Sequence, residues 1–254
     1  MKKVGLLGKN INYSKSPSIH NKYYKDNNIQ LNYTLFDTRE EDLESFIKNL
    51  PENIIGFNVT VPYKEKIIYY LDEVNYPANL IKAVNTVVNV SGKFIGYNTD
   101  YFGFIKSLEE NNVKVKDNNV LILGNGGASK AVYLAIKDLG AKVIDFGCRN
   151  IEKCKKEFIE SNDILNINEI KDISKYDLVI NATTLGNINN NISPITIEKY
   201  KKSTILYDLN YIPEVNEFLK RGLDLGLKVV NGWDMLYYQA VYSIKLWEKE
   251  LNKI

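Results

Sequence analysis

One histidine, His20, and two cysteines, Cys148 and Cys154, are all that a chain of 254 residues holds of those types. A lone imidazole argues against a histidine-based catalytic or metal-binding cluster, and no metal site is expected. Two thiols without CxxC spacing make no disulfide framework and suit reducing surroundings. Excess charge is also lacking: 33 basic and 31 acidic residues leave a formal +2, which argues against nucleic-acid or anionic-membrane partners. No apolar run approaches the roughly 20 residues of a membrane span, and the apolar stretch in MKKVGLLGKNINYSKS is shorter than a signal-peptide core. A cytoplasmic location is expected. No internal repeat or low-complexity tract occurs, and the polar run NINNNIS, residues 187–193, reads as a surface loop.

What is present is an alternation of strands and helices in a chain long enough for one large domain or two ordinary ones. Residues 2–8 read as a strand, 16–28 as a helix, 31–38 as a strand and 39–50 as a helix. Phe57–Val61 then reads as a strand that runs through Pro62 into a helix with Lys64 in its first turn. A cation there faces the positive end of the helix dipole, at a cost of about 0.3–1 kcal/mol. Residues 83–90 and 93–98 form a hairpin about Ser91-Gly92. Such alternation predicts an α/β fold with a largely parallel sheet. A second series starts near residue 102: strand 119–124, helix 128–140, strand 142–147, helix 151–160, strands 177–183 and 204–210, helix 213–226 and strand 227–231. The last helix, 235–254, carries bulky apolar residues that would let it return to the first unit. Two domains follow: residues 1–101 completed by 235–254, and a Rossmann-type dinucleotide domain over 102–234.

VLILGNGGASKAV sets Gly124, Gly126 and Gly127 between an apolar strand and a helix, with Ala128 next and Ser129 in the third glycine position. Glycines let the backbone approach a pyrophosphate, and the helix start offers free N–H groups. Beyond the next strand, FGCRNIEK presents Arg149 and Lys153, cations suited to a ribose 2′-phosphate, so NADP is expected over NAD. A plainer reading makes Arg149 an exposed helix-start residue, and Asp145 stays open as a ribose ligand should the strand end early.

In the first unit, YSKSPSIH puts Ser14 and Ser16 at a helix start, where two hydroxyls would suit a carboxylate; N-capping alone would also explain Ser16. Asn58 and Thr60 share a strand face by their spacing. Asn85 and Thr86 follow in AVNT, and Asn98, Thr99 and Asp100 close the hairpin. Such amides and hydroxyls suit a small polyhydroxylated ligand, although Asn58 and Thr60 facing solvent, or Thr99 and Asp100 capping a helix, would be plainer readings. Lys64 beside Asp100 would hold and pass a proton, as carbonyl reduction by a nicotinamide requires.

With SKSPSIH, NVTVPYKE, AVNT, NTD, GNGGASKAV, INATTLG, YDLNY and GWDMLYYQA in this order, the chain resembles the NADP-dependent shikimate 5-dehydrogenase family along nearly its whole length. The resemblance implies a discontinuous α/β substrate domain closed by the C-terminal helix, facing a Rossmann NADP domain across a cleft. It further implies that Ser14 and Ser16 hold the substrate carboxylate, that Thr60, Asn85, Asp100 and Gln239 bind ring hydroxyls with Asn58 in the same wall, and that Lys64 and Asp100 are the catalytic pair. Asn181, Thr183 and Gly186 match the nicotinamide-side loop, and Gly232 and Met235 stay in register with the last cofactor motif. The expected activity is NADPH-dependent, reversible reduction of 3-dehydroshikimate to shikimate in chorismate and aromatic amino-acid biosynthesis, by a monomer or homodimer.

Departures from the family pattern are Cys148-Arg149-Asn150 where Asn-Arg-Thr is common, Thr184 and Asn187 for Pro and Met, and Asn231-Gly232-Trp233-Asp234 for Asp-Gly-Leu-Gly. The first of these keeps a quinate/shikimate dehydrogenase with relaxed cofactor use in view. A nucleotide-binding sensor needs no Lys64 and Asp100 pair, and a folate-pathway dehydrogenase does not account for the paired serines.

Overall fold

The computed structural model describes residues 2–12 and 14–252. It divides into two compact units, one of Met1–Gly103 with Tyr237–Ile254 and one of Phe104–Leu236. Lys253 and Ile254, which end the expected last helix, lie outside the described residues.

The first unit holds β1 (Lys2–Gly8), α1 (Ser16–Asp26), β2 (Leu31–Asp37), α2 (Leu43–Lys48), β3 (Gly56–Val59), β4 (Glu73–Val74), α3 (Ala78–Ile81), β5 (Thr86–Val90), β6 (Lys93–Tyr97) and the start of α4 (Thr99–Glu110). Its six strands run in the order β2-β1-β3-β5-β6-β4. The expected largely parallel sheet is in fact mixed. β1 pairs parallel with β2 and β3, whereas β5 pairs antiparallel with both β3 and β6. The β5–β6 reversal is local: Ser91 and Gly92 both take positive φ, 52° and 89°, the two-residue turn that reverses a chain with the twist of its strands.

The last helix, α8 (Trp233–Leu251), contributes Ala240, Ser243, Ile244 and Trp247 to the buried interior. Trp247 donates its Nε1 proton to the Val87 carbonyl at 3.0 Å. Gly56 permits this seat, since a Cβ there would stand 2.3 Å from the Trp247 Nε1. Close by, His20 stacks on Tyr33 with ring centroids 4.0 Å apart.

In the second unit lie β7 (Asn119–Leu123), α5 (Gly127–Asp138), β8 (Val143–Cys148), α6 (Ile151–Glu157), β9 (Asp163–Asn166), β10 (Leu178–Asn181), β11 (Ile205–Asp208), α7 (Glu217–Asp224) and β12 (Lys228–Val230). All six strands are parallel, in the order β12-β11-β10-β7-β8-β9. Val120 through Leu123 and Leu178 through Ile180 are buried on both faces, as the near-continuous apolar runs of parallel strands require. The chain winds outward from β7 in one direction and from β10 in the other, so the sheet has its switch point between these two strands, at whose carboxyl ends ligands bind in such folds.

Candidate active site

Lys64 does not lie in a helix, contrary to the sequence expectation. β3 stops at Val59, residues 60–65 form successive turns, and a 3-10 helix occupies Lys66–Tyr70. The Lys64 carbonyl accepts from the Val84 amide at 2.8 Å, which ties the turn to the segment before β5 instead of to a following helical turn. No conflict with a helix dipole arises. The anion holds that place instead: Asp100 stands in the first turn of α4, where a negative charge is favoured.

Lys64 and Asp100 meet there. Nζ lies 2.6 Å from Oδ2, with the two side chains 26% and 15% exposed, so the pair is shielded yet open to a small ligand. The other oxygen, Oδ1, accepts from the Asn85 Nδ2 at 2.9 Å. Asn85 can point its amide only this way, because its Oδ1 accepts from the Thr99 backbone N–H at 2.7 Å and the Thr86 hydroxyl at 3.0 Å. Gln239 on α8 joins through its Oε1, 3.5 Å from the Thr99 Oγ1. Thr60, half-buried just past β3, has no side-chain hydrogen bond to a described residue, which leaves its hydroxyl free for a ligand.

Ser16 is not the N-cap. Lys15 occupies that position and caps nothing with its side chain, while the Ser14 Oγ accepts from the Ser16 N–H at 3.2 Å. Both hydroxyls therefore stand at a helix start whose N–H groups favour an anion. The Tyr33 phenol is buried, and burial pushes its pKa well above its ordinary value.

Asn58 stands behind Asn85 and Thr86 as a brace. It is buried, accepts from the Tyr33 hydroxyl at 2.7 Å, and donates to the Thr86 and Ser243 hydroxyls, both at 2.9 Å. With its oxygen and nitrogen engaged inside the protein, it supports Thr86 and Asn85 from behind. Tyr33 and Ser243 belong to this network and escape sequence reading; a serine one turn beyond Gln239 on a mostly apolar helix is the available signal.

The second unit supplies a different kind of site. Gly126 and Gly127 are exposed, and a Cβ at either would meet no atom within 4 Å. Internal packing thus does not require them to be glycine; an approaching phosphate would. Gly126 is the N-cap of α5 without a side-chain cap, Ala128 is half-buried in the first turn, and Ser129 is buried behind it. Gly124 has φ +96°, and a Cβ there would press within 2.8 Å of the Thr183 Cγ2. The loops after β7 and β10 therefore touch at the switch point.

Arg149 and Lys153 are exposed at the end of β8 and in α6. Arg149 pairs with no described residue, and Lys153 stands 3.7 Å from Glu157. The departure at Asn150 is explained: its side chain accepts from the Lys153 N–H at 2.9 Å and caps α6, the task a threonine performs equally. Asp145 is excluded as a ribose ligand. It is buried in mid-strand and accepts from Lys175 and Tyr176, each at 2.8 Å.

Asn181 is also buried. Its Oδ1 accepts from the Thr183 N–H and hydroxyl, and its Nδ2 donates to the Leu185 carbonyl and Asp208, so it shapes the loop that carries Thr183 and Gly186. Gly232 must be glycine, since a Cβ would stand 2.0 Å from the Leu209 carbonyl oxygen; Met235 is buried one turn later. Among the described residues no group of His, Cys, Asp and Glu could hold a metal.

A parallel sheet with a glycine loop at its switch point, joined in one chain to a unit that sets a lysine against a carboxylate among hydroxyls and amides, is the layout of a nucleotide-dependent oxidoreductase. A family model for the shikimate dehydrogenase substrate binding domain matches residues 6–87. A shikimate dehydrogenase (NADP(+)) of Clostridium botulinum strain Hall is 48% identical over 246 residues, 96% of this chain and 95% of that one. A crystal structure of a shikimate dehydrogenase in complex with NADP+ superposes with a TM-score of 0.90 at 35% identity, covering 97% of this chain and 90% of that one. The Thermus thermophilus enzyme in complex with NADP(H) and shikimate gives 0.88 at 30% identity, covering 97% and 93%. The chain belongs to the shikimate dehydrogenase family.

Proposed function

We propose that the protein is an NADP-dependent shikimate dehydrogenase that interconverts 3-dehydroshikimate and shikimate in the biosynthesis of chorismate and the aromatic amino acids. The observation that carries the reading is the Lys64 and Asp100 contact at 2.6 Å, in a chain whose relatives along nearly its full length are NADP-dependent shikimate dehydrogenases. The cofactor supplies hydride to the carbonyl carbon.

The chain supplies the rest. Ser14 and Ser16 bind the substrate carboxylate at the start of α1, and Thr60, Asn85, Asp100 and Gln239 bind the ring hydroxyls. Lys64 donates a proton from Nζ to the carbonyl oxygen as the hydride arrives, and in the reverse direction takes it from the hydroxyl. Asp100 accepts from the Lys64 ammonium through Oδ2 and so orients it. Residues 1–101 with 235–254 act as the substrate domain and 102–234 as the nucleotide domain. In the latter, Gly124, Gly126, Gly127 and Ala128 receive the pyrophosphate against α5, Arg149 and Lys153 meet the 2′-phosphate, and Asn181, Thr183, Gly186, Gly232 and Met235 form or support the nicotinamide side.

The reading places the enzyme in the cytoplasm as a monomer or homodimer; both cysteines are buried and unlinked, and no helix among the described residues is long and apolar enough to cross a membrane. Initial rates of nicotinamide reduction with shikimate or quinate, each with NADP or NAD, test it. A strong preference for shikimate with NADP is expected. Comparable rates with quinate or NAD would replace it with a relaxed quinate/shikimate dehydrogenase, and no turnover by folded protein would leave a nucleotide-binding sensor.

A further inference from the structure

The motif YDLNY, residues 207–211, has no task in the mechanism above. Asp208 ends β11, is fully buried, and pairs with no cation among the described residues. Four N–H groups converge on it instead. Its Oδ1 accepts from the Asn210 backbone N–H and the Asn210 Nδ2, both at 2.8 Å. Its Oδ2 accepts from the Asn181 Nδ2 at 2.7 Å and the Asn216 Nδ2 at 2.8 Å.

The same three amides hold the loop after β10. Asn181 donates to the Leu185 carbonyl at 2.8 Å, Asn210 to the Leu185 and Thr183 carbonyls at 3.0 and 3.3 Å, and Asn216 to the Gly186 carbonyl at 3.1 Å. Gly186 makes this fit possible. Its φ is +95°, and a Cβ there would stand 2.6 Å from the Asn216 Nδ2 and 3.2 Å from the Asp208 Oδ2. Burial pushes the Asp208 pKa upward while the amide donors oppose the shift; with donors filling both oxygens, the carboxylate is the form the surroundings fit.

We propose that Asp208 is a positioning residue: through Asn181, Asn210 and Asn216 its carboxylate holds the backbone of Thr183–Gly186 in the shape that receives the nicotinamide end of the cofactor. This rests on the reading of that loop given under the proposed function. Asparagine at 208 would keep the shape but offer an NH2 where two donors already point, so one pair of amides would lose its acceptor. The loop would shift while the substrate residues of the first unit stay as they are.

The test compares the full-length protein with Asp208→Asn and with Asn210→Ala. Asp208→Asn should raise the NADP KM and the fluorescence-titrated NADPH Kd by about tenfold or more, with the shikimate KM within about twofold. Asn210→Ala, at a half-buried position, should move the same constants less and serves where Asp208→Asn does not fold.

Folded Asp208→Asn or Asn210→Ala with parental NADP constants would overturn the proposal. So would a folded Asp208→Asn whose shikimate KM rises in step with its NADPH Kd, since Asp208 would then serve folding alone. An inactive parent that still binds NADPH would instead overturn the functional reading, and the titration would continue to test the loop.

Discussion

The two units make their sites from different parts of the polypeptide. In the second, recognition is assigned largely to backbone, through exposed glycines, the uncapped start of α5 and a loop threaded through Gly186, with Arg149 and Lys153 as the side-chain contacts. In the first, the chemistry is assigned to side chains, several of them aimed by other side chains, as Asn85 is by Thr86 and Thr99, with Asn58 braced by Tyr33 and Ser243. The start of α5 follows from local conformation, whereas the loop after β10 is held by the buried Asp208 network. A side-chain site depends on a satisfied buried network, where losing one partner leaves another unpaired.

Substitutions in the two units should therefore fail in different ways. Asp100→Asn removes the charge that orients Lys64, and turnover should fall by about 100-fold to 10,000-fold with NADPH affinity unchanged; stopped-flow single turnovers read the first and fluorescence titration the second. A parallel loss of NADPH affinity would break the division between the units.

Gly232→Ala should act on the fold. Its Cβ would collide with the Leu209 carbonyl, and overpacking of this kind destabilises by roughly 1–3 kcal/mol or more. A lowered midpoint in urea unfolding is expected, and an unchanged midpoint would show that this backbone approach is loose. Arg149→Ala should reduce the preference for NADP over NAD by about tenfold, roughly 1.4 kcal/mol, with the larger loss at low salt. Equal losses for both cofactors would remove Arg149 from the 2′-phosphate.

The smallest effect concerns His20, which the chemistry does not use. Burial lowers its pKa from 6.5 to about 3, so the unfolded chain takes up this proton first on acidification. Stability from neutral His20 is full above the unfolded value and is lost as pH falls from 6.5 toward 3, by up to about 1.4 kcal/mol per pH unit. Because the chain has one histidine, denaturant unfolding at about pH 7 and about pH 5.5 should differ in the parent and much less in His20→Phe. An equal difference in both would assign the acid sensitivity to carboxylates.

The second unit is the more legible in sequence. Apolar runs such as VLILG and LVIN buried on both faces, and the glycine loop between strand and helix, are local signals that the parallel sheet respects. Its least visible strand is β9, only four residues long and mostly half-exposed. In the first unit, the site residues can be named from sequence but their settings cannot. Pro62 and the apolar residues after it suit a helix at Lys64, yet the Val84 bond claims its carbonyl. The serine before Pro17 suits an N-cap, yet Ser16 is already helical. Alternation puts Asn58 and Thr60 on one face, but it does not show that Tyr33, Thr86 and Ser243 engage the first. Each miss comes from a contact between segments distant in sequence or from a helix boundary one residue away, which periodicity does not encode.

The most direct measurement is made on Lys64→Ala, with NADPH affinity by fluorescence titration and dehydrogenase turnover on the same preparation. A loss of turnover of about 1,000-fold with parental NADPH affinity is the predicted result. Turnover near that of the parent would contradict the assignment of proton transfer to Lys64, and with it the central claim that the first unit performs the chemistry.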